Sequence, residues 1–278
     1  MEQGLYLVAT PIGNLDDMTF RGIEVLKNAD IIGAEDTRHS RILLERYRIT
    51  TPTLSYYEHN EAKRREELLE RLRQGQIVAL ICDAGTPGIS DPGADLVAAA
   101  AKEDIPIHPI PGGNAVLSAV TASGLNCERF LFEGFLPRIN KKRRERLRTL
   151  AAAEVTAVIY ISPHRLKEDL KDLLSSCGNR PATLCRELTK LHESFHRGTL
   201  ASLLAIAEKQ ELKGEMVLVL GRALKKDDTP SPEKLRSEVK DLLNQGIKSK
   251  DAAQIIAERY HMKKNQIYPY TIADEEGE

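Results

Sequence analysis

Between positions 83 and 93 the chain reads DAGTPGISDPG, eleven residues that hold three glycines, two prolines and two carboxylates. An ordinary chain reversal needs one or two such residues. A run this dense in small side chains lets backbone amides close on a ligand, while the carboxylates can take or hold a proton. Two further segments share the character, TPIGN at 10–14 and PGGN at 111–114. Groups able to act as acid, base or ion partner recur outside these loops: Glu35 and Asp36 ahead of Arg38, His59 within YYEHNE, and Glu187 and Lys190 within RELTK. Each has a plainer reading, as a helix cap, an ion pair or a packed histidine. Neither G-x-G-x-x-G nor G-x-x-x-x-G-K-[ST] occurs, so the dinucleotide and nucleoside-triphosphate fingerprints are absent. The glycine loops therefore suit a ligand without a long phosphate chain, such as an adenosine with a short polar tail.

Two other patterns carry possible chemistry. HESFH at 192–196 matches H-E-x-x-H, which on a helix sets two imidazoles on one face to bind zinc. Here Gly198 would end any helix within two residues of His196, and Thr199 reads as the N-cap of the next one, so no metal is expected. The run RINKKRRERLR at 138–148 holds seven basic residues, Arg138, Lys141, Lys142, Arg143, Arg144, Arg146 and Arg148, against one acid. Most charge runs are solvated helix faces, but seven crowded like charges repel one another and suit a polyanion, each neutralised phosphate adding salt-dependent affinity.

These residues need a frame. Short β-type runs at 5–10, 31–35, 53–57, 77–82 and 107–110 alternate with helical periods at 19–28, 40–47, 61–74 and 93–102. Such alternation predicts a mostly parallel sheet covered on both faces, with ligands at the carboxyl ends of its strands. The three glycine-rich loops, Glu35 and Asp36, and His59 all follow predicted strands and so share that edge. After a helix at 114–123, strands at 130–135, 155–161, 182–186 and 216–220 and helices at 141–152, 164–175 and 200–209 predict a second α/β domain. A polar linker at 225–232 leads to Ser231 and Pro232, which suit N-cap and first helical position. Helices ending near Gly246 and starting near Ser249 and Asn265 predict a small appendage of helix-turn-helix type, followed by an acidic tail from Asp274. The expected domains are 1–123, 124–226 and 230–278.

Composition bounds the partners. Forty basic residues face forty-one acidic ones, so nucleic-acid contact must come from a local cluster, and DNA is not an expected partner. No apolar run approaches the roughly 18 residues that span a bilayer, and the first residues lack a basic, apolar leader; a cytosolic protein with no membrane partner is expected. Cys82, Cys127, Cys177 and Cys185 form no C-x-x-C pair and read as small apolar fillers.

Six ordered motifs, LYLVATPIGNL at 5–15, AEDTR at 34–38, EHNE at 58–61, DAGTPGISDPG at 83–93, RELTK at 186–190 and RGTL at 197–200, resemble the small-subunit ribosomal RNA methyltransferase I family of the tetrapyrrole-methylase superfamily. The resemblance covers nearly the whole chain. It implies two α/β domains with S-adenosylmethionine in the cleft between them, a homodimer, and a cytidine ribose 2′-hydroxyl of 16S ribosomal RNA in the small subunit as substrate. It implies cofactor contacts at Pro11, Ile12, Gly85, Thr86, Pro87, Ile89, Ser90, Asn114 and Ala115, and at Gly214 and Glu215 in the second domain. The family often has PGPSA where this chain has PGGNA, which leaves the role of Asn114 open. A hydroxyl nucleophile calls for a proton acceptor, with Asp83, Glu35, Asp36, His59, Glu187 and Lys190, the last with a depressed pKa, as unranked candidates. The other readings are a small-molecule methylase of the same superfamily and a non-catalytic ribosome-assembly module.

Overall fold

The computed structural model describes residues 1–57, 59–223, 231–260, 262 and 264–271. The expected linker up to Pro230 and the acidic tail lie outside them. The chain divides into two compact units, Met1–Ala223 and Leu224–Glu278.

The larger unit holds two five-stranded sheets. The first contains β1 (Gly4–Val8), β2 (Ile31–Ala34), β3 (Thr53–Ser55), β4 (Ile77–Ile81) and β5 (Ile107–Ile110) in the order β3-β2-β4-β1-β5. Every pairing is parallel. Strands buried on both faces need near-continuous apolar runs, and IVALI of β4 meets that need. On one face α1 (Phe20–Asn28) and α2 (Thr37–Arg46) place Val25, Leu26, Leu43 and Leu44 against Val8, Ile32 and Ile81. On the other, α3 (Glu61–Arg73) and α4 (Ala94–Lys102) place Leu68, Leu69, Leu72 and Leu96 against Leu5, Val78 and Leu80.

The second sheet is mixed. It contains β6 (Phe130–Phe135), β7 (Thr156–Ile161), β8 (Pro181–Arg186), β9 (Ser194–Thr199) and β10 (Met216–Leu220) in the order β6-β7-β10-β8-β9. Strand β10 runs antiparallel to both of its neighbours. Its side chains alternate between two cores, as the two-residue period requires. Met216, Leu218 and Leu220 join the core under α6 (Asn140–Ala152), α7 (Leu166–Cys177) and α8 (Leu200–Lys209). Val217 and Val219 face Val116, Ala119 and Val120 of α5 (Ala115–Ala122), together with Ile12 from the loop after β1. That shared core joins the two sheets.

One strand, β9, was not expected, and it displaces the zinc-type helix: His196 stands in a strand opposite Leu184, and His192 in the preceding turn. Two imidazoles four apart on one helical face are therefore not available. Thr199 does cap α8, its hydroxyl accepting from the Ser202 amide at 3.4 Å. Among the described residues no cluster of three or more metal-ligating side chains occurs, and no helix is long and apolar enough to cross a membrane.

The smaller unit contains α9 (Pro232–Asn244), α10 (Ser249–Arg259) and α11 (Lys264–Ile267) around Leu235, Val239, Ala253, Ile256 and Ile267. Ser231 caps α9 by accepting from the Lys234 amide at 3.2 Å. Gly246, at φ 85°, closes it.

Candidate functional site

Three loops at the carboxyl edge of the first sheet are stitched together through backbone. Thr10 and Gly85 exchange both main-chain hydrogen bonds, at 2.8 and 3.1 Å, and the Thr10 hydroxyl donates to the Cys82 carbonyl at 3.1 Å. The third loop packs on the first without a side chain between, since a Cβ at Gly113 would stand 2.8 Å from the Thr10 carbonyl oxygen. Thr86, Pro87, Gly88 and Ile89 form a turn closed by the Ile89 amide on the Thr86 carbonyl at 3.3 Å, with Gly88 at φ 80° as a type II turn demands. Asn114 has a settled place here. Its Oδ1 caps α5 by accepting from the Leu117 amide at 3.0 Å, and its Nδ2 donates to the Thr86 hydroxyl at 3.3 Å.

Cavities open on both sides of Ile12 and Ala84. One of about 350 Å3 runs from Ser90, Asp91 and Ala115 to Tyr160, Ser162, Leu188 and Val217 of the second half, and continues into a pocket of about 30 Å3 beneath Gly85, Thr86, Ile89 and Asn114. Another, of about 300 Å3, lies between Pro11, Gly13, His39, Asp83, Lys190 and Glu215. An open cavity of about 530 Å3 is lined by Glu35, Tyr57, His59, Glu61, Ser90 and Asp91.

The acid and base candidates separate on inspection. The Asp36 carboxylate caps α2, accepting from the Arg38 amide at 2.9 Å and from its guanidinium at 2.8 Å; that pairing holds it far below the usual carboxylate range, so its oxygens are engaged as a cap. Glu187 accepts from the Glu215 amide at 2.8 Å and from Lys190 Nζ at 3.1 Å, and the amide bond leads in holding its carboxyl low. The depressed lysine pKa does not occur. Burial of Lys190 would lower it, but the Glu215 and Glu187 carboxylates outweigh burial and keep the ammonium charged. His59 is exposed, edge-on to Tyr57 with ring centroids 6.2 Å apart. Glu35 and Asp83 clasp the ends of β2 and β4, Asp83 Oδ1 accepting from the Asp36 amide at 3.1 Å and Glu35 Oε2 from the Asp83 amide at 3.4 Å. Burial raises the Glu35 pKa, and the neighbouring Asp83 and Asp36 charges add to the rise.

Sequence reasoning counted Asp91 in the loop without singling it out. Burial first, then the Glu35 and Asp83 charges, push its carboxyl up to about 6. Tyr160, Ser162, Leu188 and Val217 were also missed as wall residues. Ser162 and Pro163 follow an apolar strand, a signal that marked the loops of the first sheet.

One expected cofactor contact gains a packing role, and one expected RNA contact is lost. Gly214 leaves the space that the Glu187 side chain fills, while Glu215 lines two of the cavities. Arg143 is buried and cannot reach a phosphate: it donates to Asp169 and Asp172, each at 2.7 Å. Arg146 leans on Glu133 at 3.3 Å. Arg138, Lys141, Lys142, Arg144 and Arg148 are exposed around the start and outer face of α6, beyond Phe135 at the cavity rim.

Comparison with known proteins agrees with this architecture. The family model described as Tetrapyrrole (Corrin/Porphyrin) Methylases matches residues 4–204. A Synechocystis protein named ribosomal RNA small subunit methyltransferase I is 47% identical over 270 residues, covering 96% of this chain and 97% of its own. One of the same name from Halalkalibacterium halodurans is 45% identical over 271 residues, covering 95% and 93%. The crystal structure of uroporphyrin-III C-methyltransferase from Thermus thermophilus with S-adenosylhomocysteine superposes with a TM-score of 0.56 at 20% identity, covering 78% of this chain and 97% of that one. The chain thus belongs to the tetrapyrrole (corrin/porphyrin) methylase family, within the group of ribosomal RNA small subunit methyltransferase I proteins.

Proposed function

We propose that this chain uses S-adenosylmethionine to methylate the ribose 2′-hydroxyl of a cytidine in 16S ribosomal RNA of the small subunit, acting as a homodimer. What supports the reading is a cleft cavity that continues beneath the glycine-rich loops, together with an exposed basic face on α6, in a chain nearly half identical to proteins named for this class of substrate. The dimer and the assembled-subunit context rest on the family resemblance.

The residues present fit the cofactor. At Gly113 a Cβ would strike Thr10, and Gly85 at φ 88° offers both backbone polar groups to the neighbouring loop, so this wall is built of main chain. Ile12, Leu188 and Val217 supply an apolar floor for an adenine, and the Asp91 carboxylate in the same cavity suits a positively charged sulfur. When bound, the cofactor supplies a methyl group already activated by its sulfonium.

The protein must then position a ribose hydroxyl and accept its proton. Gly85, Thr86, Ile89, Ser90, Asn114 and Ala115 would hold the cofactor from the first half, with Pro11 and Ile12 below and Glu215 from the second. Pro87 sets the turn that carries Thr86 and Ile89. Arg138, Lys141, Lys142, Arg144 and Arg148 would hold RNA phosphates while an unstacked nucleotide enters the cleft, the usual mode of sequence-specific RNA recognition. The test is transfer of radiolabelled methyl from S-adenosylmethionine to small subunits lacking their own modification, followed by nucleoside analysis. Labelled 2′-O-methylcytidine is the expected product; label on a porphyrinoid acceptor and none on RNA would overturn the reading.

A further inference from the structure

Strand β6 carries an irregularity that turns one aromatic ring outward at the cleft. Its pairing with β7 sets Phe132 opposite Val158, Gly134 opposite Ile159 and Phe135 opposite Tyr160, so Glu133 is the extra residue of a β-bulge. Regular alternation would send side chains 132 and 135 to opposite faces of the sheet. With the bulge both reach the face of Tyr160, at ring-centroid distances of 5.1 and 5.3 Å. Gly134 makes the irregular step at φ 70°, and it lies close to the first half, since a Cβ there would meet Ser90 Oγ at 3.4 Å.

The two rings fare differently. Phe132 packs on the core shared by the sheets, whereas Phe135 lines the cleft cavity and is 57% exposed. A single exposed aromatic residue is ordinary on a protein surface. This one is held in place by a bulge and a left-handed glycine, and bulges next to active sites re-aim side chains.

The same segment concentrates positive charge. Strands β6 and β7 are parallel, so α6, which connects them, must run back along β6 and starts at the end where Phe135 stands. The Glu133 side chain, 2% exposed, meets Arg146 at 3.3 Å and so fixes the register of helix on strand. Lys142 shares the helical stripe of Arg146 and lies one turn, about 5.4 Å, nearer to the Phe135 end. From 134 to 144 the chain holds five basic residues and no acid. Arg143 is tied to Asp169 and Asp172, while among the described residues Arg138, Lys141, Lys142 and Arg144 have no ion-pair partner.

An open ring beside unpaired cations matches a single-stranded polyanion whose bases are free to stack. A second copy of this chain fits poorly, because a two-fold contact centred here would set like charges against each other. On the reading given under Proposed function, we propose that Phe135 is the stacking surface for an unpaired base next to the target nucleotide, with Arg138, Lys141 and Lys142 on the adjoining phosphates. The ring orders the strand at the cleft and does not touch the reacting atoms, so Phe135 is a positioning residue. It reads no base identity, since every base has a π-face.

The experiment uses the full-length protein and unmodified small subunits. It reads Kd for subunits by co-sedimentation, kcat and KM for methyl transfer, and S-adenosylhomocysteine affinity by calorimetry. Phe135→Ala should raise Kd and KM for subunits about tenfold through lost stacking, with kcat and S-adenosylhomocysteine affinity kept. Phe135→Leu, which keeps apolar bulk without a ring, should be as weak as Phe135→Ala, and Phe135→Trp should recover wild-type binding. Lys142→Ala should lower the salt dependence of Kd by about one phosphate contact, whereas Phe135→Ala should leave that dependence unchanged.

A wild-type Kd in Phe135→Ala would overturn the proposal. So would full recovery by Phe135→Leu, which marks a contact with a protein surface, or loss of S-adenosylhomocysteine binding, which marks a wall of the cofactor site. A smaller species by light scattering in Phe135→Ala would make the ring a subunit interface and overturn it as well. Failure of the functional reading looks different. If wild type binds subunits and transfers no methyl, that reading falls while the Kd series still decides the role of Phe135; if transfer proceeds and Phe135→Ala is unaffected, the stacking assignment falls alone.

Discussion

Gly214 and Glu187 share one space: a Cβ at 214 would stand 2.3 Å from the Glu187 carboxylate, which itself holds Lys190 Nζ at 3.1 Å and the Glu215 amide at 2.8 Å. Gly214 also sits at φ 91°, where an L side chain is strained whatever the space. Gly214→Ala must therefore evict Glu187 and release Lys190 from between two carboxylates. The expected cost is about 2–4 kcal/mol, read as a lowered unfolding midpoint. Because Glu215 lines the cleft, S-adenosylhomocysteine affinity should fall as well; a variant as stable as wild type would show that Glu187 has another resting place.

Arg143 and Arg144 are neighbours with opposite fates. The Arg143 and Asp169 side chains are each 5% exposed and meet at 2.7 Å. Removing one partner of a buried pair strands the other, at about 3–5 kcal/mol. Arg143→Ala should destabilise the protein by that order, whereas Arg144→Ala should change stability by no more than about 0.5 kcal/mol. On RNA the order reverses: Arg144→Ala, Lys141→Ala and Lys142→Ala should each weaken binding and lower the salt dependence by about one phosphate contact. Equal stability of Arg143→Ala and Arg144→Ala would contradict the buried pairing.

The same helix shows where sequence reading reached its limit. In a string of seven basic residues the charge pattern gives no reason to separate one from another, yet positions 143, 147 and 150 share one helical face, and that face is buried. Periodicity, applied through the charge run, would have turned Arg143 inward with Leu147 and Leu150. The first sheet was legible because its strands are short apolar runs between helical periods, so the glycine loops could be placed at one edge. Strand β9 was not, because SFHRGT is a polar edge strand that pairs with β8 alone and needs no apolar alternation. The packing constraint on Gly214 was not legible either, because Glu187 comes from a distant strand end. Asp91 was visible as a carboxylate, but its environment depends on Glu35, Asp83 and Tyr160, which only the fold brings near.

Asp91 makes a stability prediction of its own. Its folded pKa of about 6 lies above the ordinary value of 3.8, so between those values the folded state holds more proton than the unfolded chain. Stability must then fall as pH rises through that window, and the deficit persists above it. Asp91→Asn removes the charge that burial penalises. It should raise the unfolding midpoint at pH 8, by about 1–2 kcal/mol after allowance for solvent screening, and lose that advantage below about pH 4. Thermal unfolding of both proteins across the pH range checks the sign. A variant less stable than wild type at pH 8 would mean that the carboxylate is held by partners rather than strained by neighbours.

Gly85 separates cofactor binding from folding. A Cβ there would meet Ile12 Cγ2 at 3.5 Å and the Gly113 carbonyl oxygen at 3.8 Å, ordinary contacts, so space alone would admit alanine. The obstacle is φ 88°, together with the two backbone hydrogen bonds to Thr10 that fix it. Gly85→Ala should cost about 1 kcal/mol and weaken S-adenosylhomocysteine binding modestly. Gly85→Val adds branched methyls at a backbone conformation that β-branched residues avoid, and they must project into the small pocket shared with Thr86 and Asn114. Binding measured by calorimetry should be lost in this variant while its circular dichroism spectrum stays that of the wild type. Valine at 85 with undiminished affinity would remove this loop from the cofactor site and leave the cavity beside Pro11 and Lys190 as the place to look.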